Sequence, residues 1–493
     1  MTSFESEMAE QGRWRLRPKY AGFGLFDRLV ANEFLSLERQ VGWQRQAISS
    51  LVRYAAERVP YYRRLLRDLG LSPDDIRGPR DLPRLPPLTK SVVCDRGEEL
   101  LSEALPRGER RLGYFSSSGT TGRPAKVLHT ASSNEMFSYL NQRQLRWFRF
   151  DPAKTYAVIR LASQLPRRRG SATLNPDGET LCMAQWRYVG RFFETGPYVC
   201  FNVTNPVERQ LAWLAEHRPA YLMTYSETLE HLAFAAADER PADSLEGLFA
   251  ISEQLTASMR RRVERVFGTT VHQNYGLNEV GQVAVRCAAG RYHVHTEHCH
   301  VEIADDDGQP RAPGEVGRIL VTAFRNPAMP LIRYDTGDLA EAVDGPCPCG
   351  RTLPAFGEIA GRYSRIAFLP EGTLGYVAAV REALETMPIE HSRPLRRFQI
   401  HQYRDNSFEL RLVAAGSMPA EFHRIVRQAW RSAVGERGYP LDIVEVEQIA
   451  RGPGGKFQDF TSDYFPAPGD PENAPEGPAG ADGAQPPPMG SGT

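Results

Sequence analysis

A run of hydroxyl residues and glycines is the sharpest local feature of the sequence. It reads SSSGTTGRP and spans residues 116–124. Such a run is a poor helix and a poor strand, whereas backbone amides freed by glycine, together with Ser and Thr hydroxyls, can surround phosphate oxygens. The spacing is not that of the P-loop GxxxxGK[ST]. The run therefore indicates a phosphate-binding loop, and the alternative interpretation is a flexible surface turn.

Two thiols one residue apart, Cys347 and Cys349, lie at a turn that contains proline and glycine. Such a pair suits chelation of a soft metal, and Zn²⁺ needs four ligands. Upstream, Cys287 and His293 lie around a glycine, and with the two thiols they would complete a tetrahedral Cys₃His site. Other residues in the same stretch leave the fourth ligand open: His295, His298, Cys299 and His300. The alternative is that the thiols are merely buried and reduced. Because four protein ligands would leave no coordination position for water or a substrate, the predicted zinc is structural.

Five short motifs, in the required order, resemble those of the acyl-adenylate-forming (AMP-binding) superfamily of acyl-CoA synthetases, peptide-synthetase adenylation domains and luciferase. They are YFSSSGTTGRPAKV at 114–127, YGLNE at 275–279, YDTGD at 334–338, GR at 361–362 and GGK at 454–456. Upstream, VRYA (52–55), VPYYR (59–63) and LPRLPPLTK (82–90) resemble the phenylacetate–CoA ligase branch. The similarity covers about residues 28–460.

The resemblance implies a ligase that activates a carboxylic acid, aromatic in the nearest branch, with ATP. The products would be an acyl-adenylate and pyrophosphate, and the acyl group would pass to CoA. Because two anions react, such a site must position them and neutralise phosphate charge. The implied cofactors are ATP, Mg²⁺, a structural Zn²⁺ and CoA, and the branch also has cysteine and histidine at the matching zinc positions. The residues implied to hold the β- and γ-phosphates are Ser117, Ser118, Gly119, Thr120, Thr121 and Gly122.

The resemblance also assigns roles outside the loop. Glu279 would help hold Mg²⁺, which prefers oxygen ligands. Asp338 would accept hydrogen bonds from the ribose hydroxyls, and Tyr275 would pack near adenine. Lys456, a flexible cation, would stabilise charge developing at the α-phosphate and carboxylate, and with Glu279 and Thr121 it forms the predicted catalytic set. The other nucleotide contacts implied are Glu253, Asn274, Gly276 and Arg362.

The hinge departs from the branch pattern. Ser364 stands where the branch has a carboxylate, and FLPEGTLGY (368–376) replaces the usual Gly-x-Asn segment. These changes leave adenylation in place but keep the acceptor open, since an amine or a carrier-protein thiol could replace CoA. A degenerate relative that binds nucleotide without catalysis, and a transferase that places AMP on a non-carboxylate acceptor, are the remaining alternatives. Aromatic candidates for the acid pocket, whose commoner fate is core packing, are Phe137, Tyr139, Tyr225 and Tyr275.

The elements that must position these residues follow from hydrophobic periodicity. Between residues 155 and 274 short apolar runs alternate with amphipathic stretches, which favours a parallel sheet covered by helices. After Gly281, two strand-like runs at 301–303 and 317–323 predict antiparallel structure. Residues 29–59 have the spacing of one helix that ends at Pro60.

The predicted fold class is α/β. We expect a large N-terminal domain with parallel sheets covered by helices plus a small β subdomain, and a small mobile α+β C-terminal domain. The predicted bounds are a loose N-terminus at 1–25, the adenylate-forming domain at 26–361 with the zinc-knuckle subdomain at about 282–355, a lid domain at 362–465, and a disordered tail at 466–493. The tail is rich in proline and glycine and cannot bury enough surface to fold.

Length and composition narrow the function classes. A chain of 493 residues is too long for one hydrophobic core. Lys+Arg and Asp+Glu both number 60, which argues against a dedicated nucleic-acid binder. No apolar run approaches the ~20 residues of a membrane span, the N-terminus lacks a secretory h-region, and seven cysteines favour a reducing, cytoplasmic setting. The expected partners are a small carboxylic acid and the acyl acceptor, with a homodimer as a further hypothesis.

Overall fold

The chain divides by its internal contacts into two compact units. The N-terminal unit comprises Met1–Gly119 and Pro124–Tyr363, and the C-terminal unit comprises Thr120–Arg123 and Ser364–Thr493. The computed structural model describes residues 3–20, 24–116, 125–166, 178–236, 242–252, 255–362, 367–369, 372–374, 380, 383–384, 387–388, 391, 394–434, 438–450 and 460–463. Within these ranges no helix is long and apolar enough to cross a bilayer.

The α-helices lie mainly in the first half of the chain, and they alternate with single strands between residues 198 and 277. The helices are α1 (Ser3–Gly12), α2 (Leu25–Asn32), α3 (Leu37–Arg58), α4 (Pro60–Asp68), α5 (Lys90–Asp95), α6 (Ala131–Trp147), α7 (Val207–His217), α8 (Ser226–Ala235), α9 (Ala257–Phe267) and α10 (Ala420–Val434). The strands are β1 (Arg111–Ser116), β2 (Lys126–Thr130), β3 (Tyr156–Arg160), β4 (Leu181–Met183), β5 (Tyr198–Asn202), β6 (Tyr221–Tyr225), β7 (Gly247–Ile251), β8 (Val271–Leu277), β9 (Gly281–Arg286), β10 (Tyr292–Val294), β11 (Cys299–Ala304), β12 (Val316–Ala323), β13 (Tyr334–Glu341), β14 (Ala355–Phe356), β15 (Ile359–Arg362), β16 (Ala367–Leu369), β17 (Gly372–Leu374), β18 (Leu395–Gln402), β19 (Phe408–Ala414), β20 (Leu441–Glu445) and β21 (Phe460–Ser462).

A nine-stranded sheet forms the centre of the N-terminal unit, in the order β14-β10-β9-β8-β7-β6-β3-β5-β4. The five strands from β8 to β5 in that order are parallel, and the others pair in antiparallel fashion. Helices α7, α8 and α9 connect parallel strands, and their apolar faces are buried. On α7, for example, the Trp213 ring stacks on Phe201 of β5 at 5.0 Å. The predicted α/β class, with a parallel sheet covered by helices, is confirmed.

A second, antiparallel sheet follows Gly281 in the sequence, in the order β11-β12-β13-β15. Val301 pairs with Val321 across β11 and β12, which confirms the predicted antiparallel pair. The hairpin β1–β2 pairs Ser116 with Lys126 and so joins the two ends of the serine- and glycine-rich loop.

The C-terminal unit is a small α+β structure. Its sheet has the order β20-β19-β18-β21, in which β18 and β19 are antiparallel and the outer pairs are parallel. Helix α10 contributes Phe422, Val426 and Trp430 to a core shared with the strands. The α+β class predicted for this part of the chain is confirmed. The predicted tail at 466–493 lies outside the described residues.

The predicted single helix at 29–59 is wrong, because two helices occupy this region. Helix α2 ends at Asn32, and α3 begins after Ser36, whose hydroxyl accepts a hydrogen bond from the Arg39 backbone N–H. This N-cap satisfies a donor that a continuous helix would have used internally. Pro60 does end α3, and it also starts α4 at a position where its missing N–H costs nothing.

The N-terminal residues differ from the expected loose segment. Helix α1 spans Ser3–Gly12, and the Trp14 side chain is 4% exposed, packed edge-on against Trp186 and Phe193. Burial of this large aromatic ring contributes a few kcal/mol to the stability of the segment. Its partners lie some 170 residues away, so local sequence does not reveal them.

Candidate active site

Two strands from different sheets bring the predicted adenine and ribose contacts together. Tyr275 lies on β8 of the central sheet, and Asp338 lies on β13 of the second sheet. The Tyr275 hydroxyl donates a hydrogen bond of 2.8 Å to Oδ2 of Asp338, and both side chains are buried. The backbone N–H of Asp338 donates to Thr336 Oγ1 at 3.1 Å, which fixes the turn of the YDTGD motif. A rigid aromatic and a carboxylate thus share one edge of the site.

Glu279 lies in the turn between β8 and β9, a few residues after Tyr275. Its side chain is 7% exposed, and its Oε1 atom accepts a 2.9 Å hydrogen bond from the Tyr334 hydroxyl at the start of β13. Burial and the neighbouring Glu279 carboxylate both raise the pKa of Tyr334, so this hydroxyl remains a donor. The carboxylate is therefore held in place, with the oxygen chemistry that Mg²⁺ prefers.

The anchors of the predicted phosphate loop lie beside the Glu279 turn. The Asn278 side-chain amide donates a 2.8 Å hydrogen bond to the backbone carbonyl of Ser116, the last residue of β1. The loop begins at the next residue. The structure thus brings the start of the loop, the Glu279 turn and the Tyr275–Asp338 pair to one region of the N-terminal unit.

The other predicted nucleotide contacts differ in their surroundings. Asn274 donates to Gln144 Oε1 of α6 at 2.8 Å, next to Tyr275 on β8. A Cβ atom at Gly276 would lie 3.0 Å from the Gly281 carbonyl oxygen, so a larger residue here would have to displace backbone atoms. The backbone of Arg362 pairs with Asp338 across β15 and β13. Predicted residues outside the described ranges are Ser117, Ser118, Gly119, Thr120, Thr121, Gly122, Glu253 and Lys456.

Sequence reasoning missed two residues that hold the site. Tyr334 opens the YDTGD motif, and its bond to Glu279 was therefore within reach of a motif argument. Gln144, which anchors Asn274, lies in the last turn of α6, and its sequence context gives no signal of that role.

The four predicted zinc ligands converge at a second position. Cys287, His293, Cys347 and Cys349 place one donor atom each so that all four lie within 4.8 Å of one another. The Sγ atoms of Cys287 and Cys347 are 3.7 Å apart, and Cys349 Sγ lies 3.2 Å from His293 Nε2. A tetrahedral Zn²⁺ with Zn–S bonds of about 2.3 Å would hold two sulfurs about 3.8 Å apart. We call this group the knuckle cluster, and its donor set and spacing fit zinc.

Protonation in the knuckle cluster also suits a metal. The Nδ1–H of His293 donates a 2.9 Å hydrogen bond to the Leu353 carbonyl, which leaves the Nε2 lone pair facing the thiols. A hydrogen bond to Cys349, together with burial, raises the pKa of the Cys287 thiol. The same bond, and the contact with His293, lower the pKa of Cys349. One thiol therefore ionises readily, as a thiolate ligand must.

A buried ion-pair network supports the knuckle cluster. Arg351, two residues after Cys349, contacts Glu33, the residue that follows α2, at 3.1 Å and pairs with Glu7 of α1. Its guanidinium also lies 3.9 Å above the Trp147 ring. Glu33 is fully buried and pairs further with Arg143 and Arg146 of α6, so the charges are compensated. The N-terminal helices thus fix the segment that follows the two thiols.

The nearby histidines that left the fourth ligand open have other partners. His295 Nδ1 lies 3.2 Å from a guanidinium nitrogen of Arg143, and His298 Nε2–H donates to the Val280 carbonyl at 2.9 Å. His300 Nδ1 lies 3.1 Å from Gln44 Oε1. His293 is therefore the histidine of the knuckle cluster.

Burial of His295 and His298 predicts acid sensitivity. Burial lowers the pKa of His298 from 6.5 to about 4, and burial beside Arg143 lowers that of His295 well below its usual value. Between pH 6.5 and about 4 the unfolded chain therefore binds protons that the folded chain does not. The free energy of unfolding should fall with decreasing pH by about 1.4 kcal/mol per unit for each histidine. Urea titrations from pH 7.5 to 4.5 measure this slope.

A matched variant isolates the contribution of His298. His298→Gln keeps a donor for the Val280 carbonyl and removes one titrating group. The free energy of unfolding of this variant should therefore fall less steeply with decreasing pH, by about 1.4 kcal/mol per pH unit. Equal slopes for the variant and the wild type would contradict the prediction.

Aromatic side chains line the side of β9 that follows the Glu279 turn. A Cβ atom at Gly281 would lie 3.9 Å from Phe137 Cδ2 and 3.6 Å from His298 Nε2. The Phe137 ring meets Tyr188 edge-on at 5.2 Å, and Tyr188 has a φ of +67°, a strained conformation that structures retain mostly at functional sites. Tyr139 and Tyr225 instead belong to the hydrophobic core.

Sequence comparisons agree with the motifs. A family model described as AMP-binding enzyme matches residues 102–325. A phenylacetate-coenzyme A ligase of Thermus thermophilus is 31% identical over 365 residues, which cover 72% of this chain and 77% of the relative. A phenylacetate-coenzyme A ligase of Escherichia coli is 28% identical over 387 residues, covering 75% and 81%.

Solved structures share the fold. A 2-hydroxyisobutyryl-CoA ligase in the postadenylation state, in complex with R3-HIB-AMP, superposes with a TM-score of 0.65 at 18% identity and covers 88% of this chain and 91% of that one. An anthranilate CoA ligase in complex with anthranoyl-AMP gives 0.53 at 14% identity, covering 72% and 67%. Together with the 31% identity over most of both chains, the site geometry leads to one assignment: the chain belongs to the phenylacetate–coenzyme A ligase family of AMP-binding enzymes.

Proposed function

We propose that this protein is an AMP-forming acid–CoA ligase. It activates a carboxylic acid with ATP to an acyl-adenylate and pyrophosphate, and it then transfers the acyl group to CoA. The observation that carries the proposal is the Tyr275–Asp338 hydrogen bond of 2.8 Å, which joins an adenine platform to a ribose acceptor beside Glu279. Family membership supplies the reaction class.

Each half-reaction balances without a further reactant. In the first, a carboxylate oxygen attacks the α-phosphorus of ATP, the bond to the β-phosphate oxygen breaks, and pyrophosphate leaves. In the second, the CoA thiolate attacks the acyl carbonyl, and AMP leaves with the bonding electron pair. Charge at the phosphates is the main barrier, so cations and backbone amides are the catalytic groups required.

Two metals belong to the proposal. Glu279 is the carboxylate that would help hold Mg²⁺, which supplies positive charge beside the phosphates when bound. The knuckle cluster is the site for a structural Zn²⁺, supported by its Cys₃His donor set and its 3.7 Å sulfur spacing.

An aromatic acid is the proposed substrate class. The named relatives are phenylacetate ligases. In this chain the Phe137 ring lies beside Gly281, two residues after Glu279, and meets the Tyr188 ring edge-on. Two aromatic rings meeting edge to face offer a further ring the same favourable geometry.

Truncation of Phe137 tests the substrate class. Phe137→Ala should raise the KM for an aromatic acid about tenfold, or ~1.4 kcal/mol, because the ring contact is lost. The KM for ATP should stay within about twofold of the wild type. Phe137→Leu, which keeps apolar volume, should show a smaller increase. If the variants lose aromatic and aliphatic acids equally, the aromatic pocket is misplaced.

Product identification tests the whole reaction. The purified protein is incubated with ATP, Mg²⁺, CoA and a panel of aryl and aliphatic acids. The products are separated by chromatography and identified by mass spectrometry. The proposal predicts an acyl-CoA and AMP with at least one aromatic acid. AMP release without acyl-CoA, accompanied by amide formation when an amine is added, would favour the second candidate, an amide synthetase, for which Ser364 at the hinge is the sequence argument.

A further inference from the structure

We propose that the knuckle cluster and the nucleotide site are energetically coupled through Phe356, so that zinc raises the affinity for ATP and ATP raises the affinity for zinc. The inference rests on the proposed zinc site and nucleotide site, and it assigns Phe356 as the positioning residue between them.

The proposed coupling path from the knuckle cluster to the nucleotide site begins at His293. His293 lies on β10, a strand of three residues, and its neighbour Tyr292 projects to the opposite face of that strand. Strand β14 pairs with β10 so that Tyr292 lies opposite Phe356 and His293 lies opposite Ala355. The Tyr292 and Phe356 rings are stacked with centroids 5.3 Å apart and an interplanar angle of 2°. A shift of the zinc ligand therefore moves this stack.

The path ends at the nucleotide site. The Phe356 ring meets Tyr275 edge-on at 5.9 Å and 85°. Tyr275 in turn donates its 2.8 Å hydrogen bond to Asp338. The exposed fraction of these side chains is only 1 to 7%, so a displaced ring cannot relax into solvent. They are Tyr292, Phe356, Tyr275 and Asp338. One backbone ladder, two ring contacts and one hydrogen bond thus connect His293 to Asp338.

The position of Phe356 depends on the knuckle cluster because its own strand is short. Strand β14 has two residues and follows directly the segment that carries Cys347 and Cys349. Two hydrogen bonds hold that segment to β10: His293 Nδ1–H to the Leu353 carbonyl at 2.9 Å and Val294 N–H to the Pro354 carbonyl at 2.8 Å. A metal bound by all four ligands would cross-link the residue that follows β9, strand β10 and the segment before β14.

Energetic coupling between the two sites can be distinguished from a role of Phe356 in core packing alone. Phe356 also belongs to a large hydrophobic cluster, so any truncation lowers stability. A coupling free energy is reciprocal, however, and the same factor must appear in both affinities. The measurement therefore compares zinc affinity with and without ATP, and ATP affinity with and without zinc at a temperature where circular dichroism shows the zinc-free protein to be folded.

The test uses the full chain and two leucine variants. Phe356→Leu removes the ring on the path, and Phe267→Leu removes an equally buried ring of α9 in a different hydrophobic cluster. ATP affinity is measured by calorimetry without any acid. Zinc affinity is measured by equilibrium competition with a chelator of known affinity, which works on the zinc-loaded protein even where the zinc-free form is unstable.

We expect about a tenfold coupling in both directions for the wild type and for Phe267→Leu, and less than about twofold for Phe356→Leu with one zinc still bound. Undiminished coupling in Phe356→Leu, or ATP-independent zinc affinity in the wild type, overturns the inference. A protein that takes up no zinc overturns both this inference and the zinc site. Because no acid is present, intact coupling in a protein that fails to activate acids would contradict the proposed reaction alone.

Discussion

Replacement of Lys456 with alanine should lower the rate of acyl-adenylate formation about a thousandfold. The residue matches the catalytic lysine of the family motif in GGK at 454–456. A cation aimed at the α-phosphate acts where charge develops in the transition state, and loss of one such contact costs ~4 kcal/mol. Binding of ATP should weaken far less, because Tyr275 and Asp338 belong to the N-terminal unit. Single-turnover measurement of acyl-AMP separates the two quantities.

A second lysine and a second half-reaction serve as controls. Lys154→Ala removes an exposed lysine that pairs with Glu246 at 2.6 Å, and its rate should match that of the wild type. Acyl transfer from a supplied acyl-adenylate to CoA should survive in Lys456→Ala, since the family motif assigns this lysine to the first step. Pyrophosphate release at the wild-type rate in Lys456→Ala would refute the assignment.

Replacement of Cys349 with serine should remove zinc from the protein and strongly destabilise the N-terminal unit. Structural zinc sites contribute roughly 10–16 kcal/mol in small peptides, so losing one of four ligands should lower the midpoint of thermal unfolding by more than about 10 °C. Elemental analysis and calorimetry of freshly purified protein measure both effects. Wild-type protein should contain about one zinc per chain.

Cys182→Ser is the matched control, because Cys182 is an exposed thiol on β4, outside the knuckle cluster. Its zinc content and unfolding midpoint should equal those of the wild type. Freshly purified wild type without zinc, or a Cys349→Ser variant with wild-type stability, would contradict the assignment of the knuckle cluster.

Local patterns were sufficient for the elements that build the sheets. The alternation between residues 155 and 274 predicted β3, α7, β6, α8, β7, α9 and β8, because each element has its own apolar period and its own flanking turn. Cys287, His293, Cys347 and Cys349 were also within reach, since cysteine and histidine spacing constrains a metal site strongly. The motif order pointed to Tyr275, Glu279 and Asp338 by resemblance.

Contacts between distant residues account for what the sequence did not reveal. The ordered N-terminus depends on Glu7, whose partner Arg351 lies 344 residues away. Phe356 and Gln144 acquire their positions from pairing and packing across elements, and no motif marks either of them. The break between α2 and α3 depends on one cap at Ser36, which helical periodicity alone does not reveal.

Acid-dependent exchange of labelled pyrophosphate into ATP, measured without CoA, is the decisive test of whether this protein forms an acyl-adenylate. The exchange reports reversible formation of the acyl-adenylate, whatever acceptor follows. We expect exchange that requires both Mg²⁺ and an aromatic acid, and that falls about a thousandfold in Lys456→Ala. A protein that binds ATP but shows no exchange with any acid of the panel would contradict the ligase assignment and favour a nucleotide-binding relative without catalysis.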